Sequence, residues 1–178
     1  MKWTFTLTLL LFGLIPLSNK ELSDYPVPTK SDEMLFYIQR NHNKNTIVYD
    51  ANFDNEGQLI ASRPIDVYWI RYEEDSRRME LRNIEKMFAY GVKCEAEKLH
   101  KNQFIVKMAA AEDRSFRLIQ KAPFRAEIQT LINNEPSVLE HMYIFADNSG
   151  FWPKVDYIEL FGKNRNTGNS IYEKIDTN

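Results

Sequence analysis

Cysteine is almost missing from this chain: Cys94 is the only one in 178 residues. An internal disulfide is therefore impossible, and packing has to supply the stability. With no cysteine directly following the N-terminal apolar stretch, a bacterial lipoprotein anchor is excluded too. Basic residues are not in excess, since 23 Lys and Arg face 25 Asp and Glu for a net charge of -2. Charge alone therefore favours neither nucleic acid nor an anionic lipid surface. Asn-x-Ser/Thr sequons are absent, as are a Gly-x-Ser-x-Gly elbow, a phosphate-cradling glycine loop and a Cys-x-x-Cys pair. The strongest signals of acyl transfer, nucleotide binding and thiol redox chemistry are all missing.

What is present starts at the first residue. Met1-Lys2 is a positive tip, and Trp3 to Leu17 is apolar apart from three threonines, Gly13 and Pro16. A membrane-spanning helix needs ~20 apolar residues, so this run is too short to span and has the form of a secretory signal. Residues 1–18 are expected to be a leader. Its removal leaves no stable membrane span, a net charge of about -3 and a periplasmic or extracellular protein. Residues 19–32, with Pro26 and Pro28 and no hydrophobic period, are expected to form an extended tether. Residues 33–178 are expected to form a single domain. The 43% hydrophobic and 13% aromatic fractions give it enough apolar area to fold.

The domain alternates with period two. In Val92 to Leu99, the residues Val92, Cys94 and Ala96 face one way while Lys93, Glu95 and Glu97 face the other. The sets Phe104, Val106, Met108, then Phe116, Leu118, then Ala126, Ile128, Thr130, Ile132 repeat this, at a spacing of roughly eleven residues. Such runs are sequential antiparallel strands with one dry face. Met34–Arg40 and Thr46–Asn52 read as a hairpin about an Asn-rich turn, and Ile65–Tyr72 reads as an aromatic strand. Val138–Ala146, Val155–Phe161 and Asn169–Ile175 complete the set. Only Leu81, Ile84 and Phe88 recur at helical spacing, which predicts one helix over about Arg78–Tyr90. The expected fold is mainly β: a single antiparallel sandwich or flattened barrel of about ten strands with one short helix.

Few residues point to chemistry. Asp50, Asn52, Asp54 and Glu56, ending at Gly57, alternate oxygen-bearing side chains as a calcium loop would. Asn55 stands where an EF-hand needs glycine and Ala61 where it needs glutamate, so ordinary turn chemistry is preferred and calcium is the alternative. His42, His100 and His141 lack the spacing of a zinc site. His141 shares an alternation with Leu139, Tyr143 and Phe145, which suits a core or rim residue. Cys94 lies on an apolar face, where a thiol is inert. Tyr68, Tyr72 and Trp152 are the aromatic candidates for ligand contact, Trp152 foremost because it sits in a loop before Pro153. Trp69 alternates with Val67 and Ile65 and reads as core.

The string Arg40-Asn41, Asn43, Asn45 to Asn52, with Gly57, Pro64 and Val67–Ile70, resembles a family of small exported bacterial proteins catalogued as a domain of unknown function. The resemblance continues through Ala89–Val92 and Trp152–Gly162 to Thr167-Gly168. It implies export and one domain, and brings no catalytic residues. Three functions are ranked on these grounds. First is a non-enzymatic extracytoplasmic module that binds a partner or small ligand. Second is a lipocalin-like carrier of a small apolar ligand, against which the missing early Gly-x-Trp counts. Third is a glycan-acting enzyme, which needs two convergent carboxyls that no spacing here announces.

Overall fold

The structure, a computed structural model, describes residues 24–99, 102–111, 114–147, 149 and 154–177. The leader, His100 and Trp152 lie outside these. Eleven strands form one hydrogen-bonded sheet. They are β1 (Met34–Arg40), β2 (Asn43–Ala51), β3 (Ile65–Ile70), β4 (Arg78–Glu80), β5 (Val92–Ala96), β6 (Gln103–Met108), β7 (Phe116–Ala122), β8 (Arg125–Ile132), β9 (Glu135–Asp147), β10 (Lys154–Asn164) and β11 (Ser170–Asp176). The helix α1 covers Asn83–Phe88, and Ala109–Ala111 makes one 3-10 turn.

The order β4-β3-β2-β1-β9-β8-β7-β6-β5 curls into a half-barrel, with β10 and β11 added at β9. The expected mainly β fold is what forms. Alternation holds in β6, β7 and β8, where Phe104, Val106, Met108, Phe116, Leu118, Ile128 and Ile132 are all buried in the core, whereas in β5 Cys94 is half-buried and Ala96 exposed. From the other branch Phe36, Ile38, Ile47, Tyr49 and Trp69 join the same cluster. Phe36 stacks on Tyr49 with ring centroids 4.2 Å apart, and Trp69 meets Tyr90 edge-on at 5.4 Å.

Three details depart from the sequence reading. One pairing is parallel: Tyr37–Arg40 of β1 runs alongside His141–Ile144 of β9. The helix is also shorter than predicted, because Arg78–Glu80 pairs with β3, setting Met79 opposite Trp69. Edge pairing satisfies backbone groups that an isolated helical turn would leave open. Finally, His141 does not share a face with Leu139. Phe161 pairs with His141 but Gly162 pairs with Leu139, so Glu140 is an extra residue on β9. This bulge resets the alternation. Leu139, Met142 and Ile144 enter the core, while His141, Tyr143 and Phe145 go to the opposite face.

The long strand β9 organises everything else. Strand β10 covers one of its edges from Ser137 to Asp147. Its other edge is shared end to end, by β8 at Glu135–Val138 and by β1 at His141–Ile144. Beyond those contacts β8 and β1 must peel apart, each carrying its own branch of the sheet. The two branches close on each other across the core.

Asn41 fixes the parallel contact. It follows β1 in a two-residue turn with His42 at φ 60. Its backbone N–H donates to Ile144 O at 3.2 Å, and its side-chain amide exchanges two hydrogen bonds with Ala146, at 2.8 and 2.9 Å. A buried asparagine thus extends the ladder past the end of the strand. Asn43 and Asn45 serve the neighbouring turn: Asn45 Oδ1 accepts from the Glu73 N–H at 3.0 Å, and Asn43 Oδ1 accepts from the Asn45 N–H at 2.8 Å. Replacing Asn41 by alanine removes both side-chain bonds and leaves the Ala146 backbone groups unpaired. Asn41→Ala should cost about 2–3 kcal/mol in urea denaturation; a loss below roughly 0.5 kcal/mol would show that the contact is not needed.

Candidate functional site

The peeling of β1 from β8 creates a cleft of about 820 Å³. Its walls are the start of β1 (Met34–Tyr37) and the start of β8 (Arg125–Glu127), and Val138–Glu140 of β9 form its vertex. Met34, Ala126 and Val138 supply a half-buried apolar floor, backed by the fully buried Phe36 and Leu139 of the core. Val27 and Pro28, with Lys30–Glu33, line it from the tether side. Four carboxylates (Asp32, Glu33, Glu127, Glu140) and two cations (Lys30, Arg125) border it. Lys121 and Gln129 engage Glu127 from outside the cleft.

The tether is held against the sheet. Gln39 Nε2 donates to Pro26 O at 2.8 Å, and the Tyr25 ring stands edge-on to Tyr143 at 5.7 Å. The Glu33 carbonyl accepts from the Ala51 N–H at 2.8 Å. Residues 24–33 therefore form a strap over the second face of the sheet and the rim of the cleft.

That second face carries an aromatic row in strict register: Tyr68, Val48, Tyr37, His141, Phe161 and Tyr172 face one another across β3, β2, β1, β9, β10 and β11. The His141 ring is stacked between Tyr37 and Phe161, with centroids 4.5 and 4.9 Å away. Such cross-strand ring pairs stabilise a sheet. Burial pushes the His141 pKa down from 6.5 to about 4, so the ring is neutral at pH 7. At one end of the row, the Tyr68 hydroxyl donates to Asp50 Oδ2 at 2.8 Å, and the Arg78 guanidinium lies 3.6 Å over the Tyr68 ring. Burial raises the Asp50 pKa while the Tyr68 hydroxyl opposes that rise. At the other end, Tyr172 donates to Glu159 Oε1 at 2.7 Å, so the buried Glu159 is hydrogen-bonded on this face.

The sequence candidates separate into different places. Tyr68 is in the row. Tyr72 follows β3 and lies near enough to Tyr37 to raise its pKa, after the larger effects of burial and Glu140. Trp152 falls outside the described residues. The four oxygen-bearing residues of the proposed calcium loop are spread over one strand and one turn. Asp50 serves Tyr68, and Asn52 donates to Arg63 O at 3.0 Å. Asp54 Oδ1 accepts from the N–H groups of Glu56 and Gln58 at 2.9 and 2.8 Å. Among the described residues no three His, Cys, Asp or Glu side chains converge as metal ligands.

That turn has a structural role of its own. Gly57 sits at φ +76, where a Cβ would come within 2.7 Å of the Phe124 ring. Phe124 N–H donates to Gly57 O at 3.0 Å, and the Gln120 amide bridges Gly57 O at 2.7 Å and the Leu59 N–H at 3.1 Å. The turn therefore clasps the β7–β8 hairpin and ties the two branches together at the mouth of the cleft. Cys94 is partly buried, and burial pushes its thiol up to about 11, which suits no nucleophile. Sequence reasoning missed the cleft altogether, since its vertex depends on a bulge and on a parallel pairing that no local pattern encodes.

The chain belongs to the family described as Domain of unknown function (DUF4833), which matches residues 36–174. No curated protein and no solved structure matches it. The matched span begins within β1 and ends within β11, so it takes in both branches and the β9 junction.

The neutral His141 gives the row a measurable pH signature. Its folded pKa lies below its unfolded value, so the unfolded chain binds the proton more readily. The His141 contribution is complete above pH 6.5 and is lost as pH falls toward 4. By pH 4.5 the loss should reach about 2–3 kcal/mol. His141→Phe keeps a ring in the stack and removes the titration. Urea denaturation at pH 7 and pH 4.5 should show wild type losing that much stability relative to the variant; parallel losses would reject a buried neutral histidine.

Proposed function

We propose that this protein is an exported, non-enzymatic binding module that takes its ligand in the cleft between β1 and β8. One observation carries the reading: the space between the branches is filled, while the fork at β9 stays open with an apolar floor and a charged rim. Ile38, Ile47, Val106, Phe116, Leu118, Ile128, Ile132, Leu139, Met142 and Leu160 have 0% exposure. A lipocalin-like carrier needs that same volume empty. A cleft with an apolar floor and a few charged groups at its rim is the usual form of a ligand site. Glycan hydrolysis has less support: Glu159 is buried against the Tyr172 hydroxyl. Export is supported by the charged tip and the apolar run Trp3–Leu17.

Native mass spectrometry of the protein exported by its own host is the test. Wild type should carry an adduct of roughly a few hundred daltons, the size that a cleft of this kind encloses. Glu140→Trp, which obstructs the vertex from an exposed position, should arrive bare. A bare wild-type mass, or an adduct that survives the substitution, would overturn the reading.

A further inference from the structure

The fork is lined by something besides side chains. Strand β8 pairs with β9 only from Gln129 onward, while its pairing with β7 begins at Arg125. Its edge from Arg125 to Glu127 therefore turns toward the cleft with no strand hydrogen-bonded to it. Strand β1 pairs with β2 from Met34 but with β9 only from Tyr37. Its edge from Met34 to Phe36 is open in the same way, on the facing wall. Two strand edges thus border one wedge, and an unpaired edge is a template for another extended chain.

We propose that the ligand of this cleft is an extended, basic peptide segment that adds as a short strand to the open edge of β8. This rests on the binding reading above and names its ligand class. The open edge of β8 spans three cleft-lining residues, Arg125 to Glu127, or ~10 Å of extended chain at about 3.3 Å per residue. Alternate side chains of an added strand point to opposite faces. One set meets the half-buried apolar side chains Met34, Ala126 and Val138, and the other meets the rim. The rim carries four carboxylates against two cations; Lys121 pairs with Glu127 from outside, and the acidic excess that remains, with Glu140 at the vertex, selects lysine or arginine over acidic residues. Glu140, at the vertex, is exposed and forms no ion pair among the described residues. A basic side chain entering the fork meets it first.

The test uses the exported full chain and a capped, fluorescently labelled peptide of alternating lysine and valine, (Lys-Val)4. Its anisotropy should rise saturably on titration. Hydrogen exchange at the Arg125–Glu127 amides should slow at least tenfold with peptide bound. A version with proline at alternate positions, which cannot donate to the ladder, should bind at least tenfold more weakly, as should (Glu-Val)4. Glu140→Lys, an exposed change outside the core, should weaken (Lys-Val)4 by roughly tenfold. Equal binding of the proline or glutamate peptides, or unchanged exchange at β8, overturns the strand-addition proposal. If host-derived protein carries a non-peptide adduct that Glu140→Trp removes, the binding reading stands and the peptide proposal falls. If neither adduct nor peptide is found, both fall.

Discussion

One edge of β9 is asked to pair with two strands at once, and the rest of the structure follows from how it does so. Strand β8 takes the first part of that edge and β1 the second, the one antiparallel and the other parallel. A single strand cannot continue both neighbours in the same plane. The sheet must branch there, and the two branches fold over each other to bury their apolar faces. The Glu140 bulge marks the changeover, giving β9 one extra residue against β10 just where its partner on the other edge changes. It also switches which side chains enter the core, so that Leu139 and Met142 can both be buried although they are three positions apart.

Two clasps keep the branches from opening further. Asn41 continues the β1–β9 ladder with side-chain hydrogen bonds. The turn at Gly57 grips Gln120 and Phe124 on the opposite branch. Both use polar groups at the ends of strands, where a backbone without a partner would otherwise lose its hydrogen bonds. The asparagines and the Asp54–Gly57 sequence thus answer a structural need of this topology. A site assembled at the fork can be open and still sit on rigid walls, because its walls are strands whose other edges are paired.

Much of this architecture was legible in the sequence. The alternation of Phe104, Val106 and Met108 or of Ile128, Thr130 and Ile132 specified both strand and face, because a period of two admits only one set of side chains to a dry interior. Trp69 was legible as core for the same reason. The helix was overextended because Leu81 and Ile84 fit a helical period, whereas Arg78–Glu80 gains more from pairing beside β3. For the candidate site the residues were visible but their grouping was not. Tyr68 and Asp50 are eighteen apart in sequence, and they meet only because β2 and β3 are in register. Asp54 was read as turn chemistry with a cation as the alternative, and its carboxylate is occupied by backbone N–H groups.

The sequence by itself determined the class of fold, the dry faces of its strands and the lack of any internal disulfide, since these depend on residue type and short-range period. Only the tertiary structure decided that β1 lies parallel to β9, that Glu140 is a bulge, and that a cleft opens between β1 and β8. The parallel contact and the cleft arise from pairing between segments about a hundred residues apart, and the bulge from the register of β9 against β10. Which edge a strand finds is settled by the joint packing of both branches, and no local pattern carries that information.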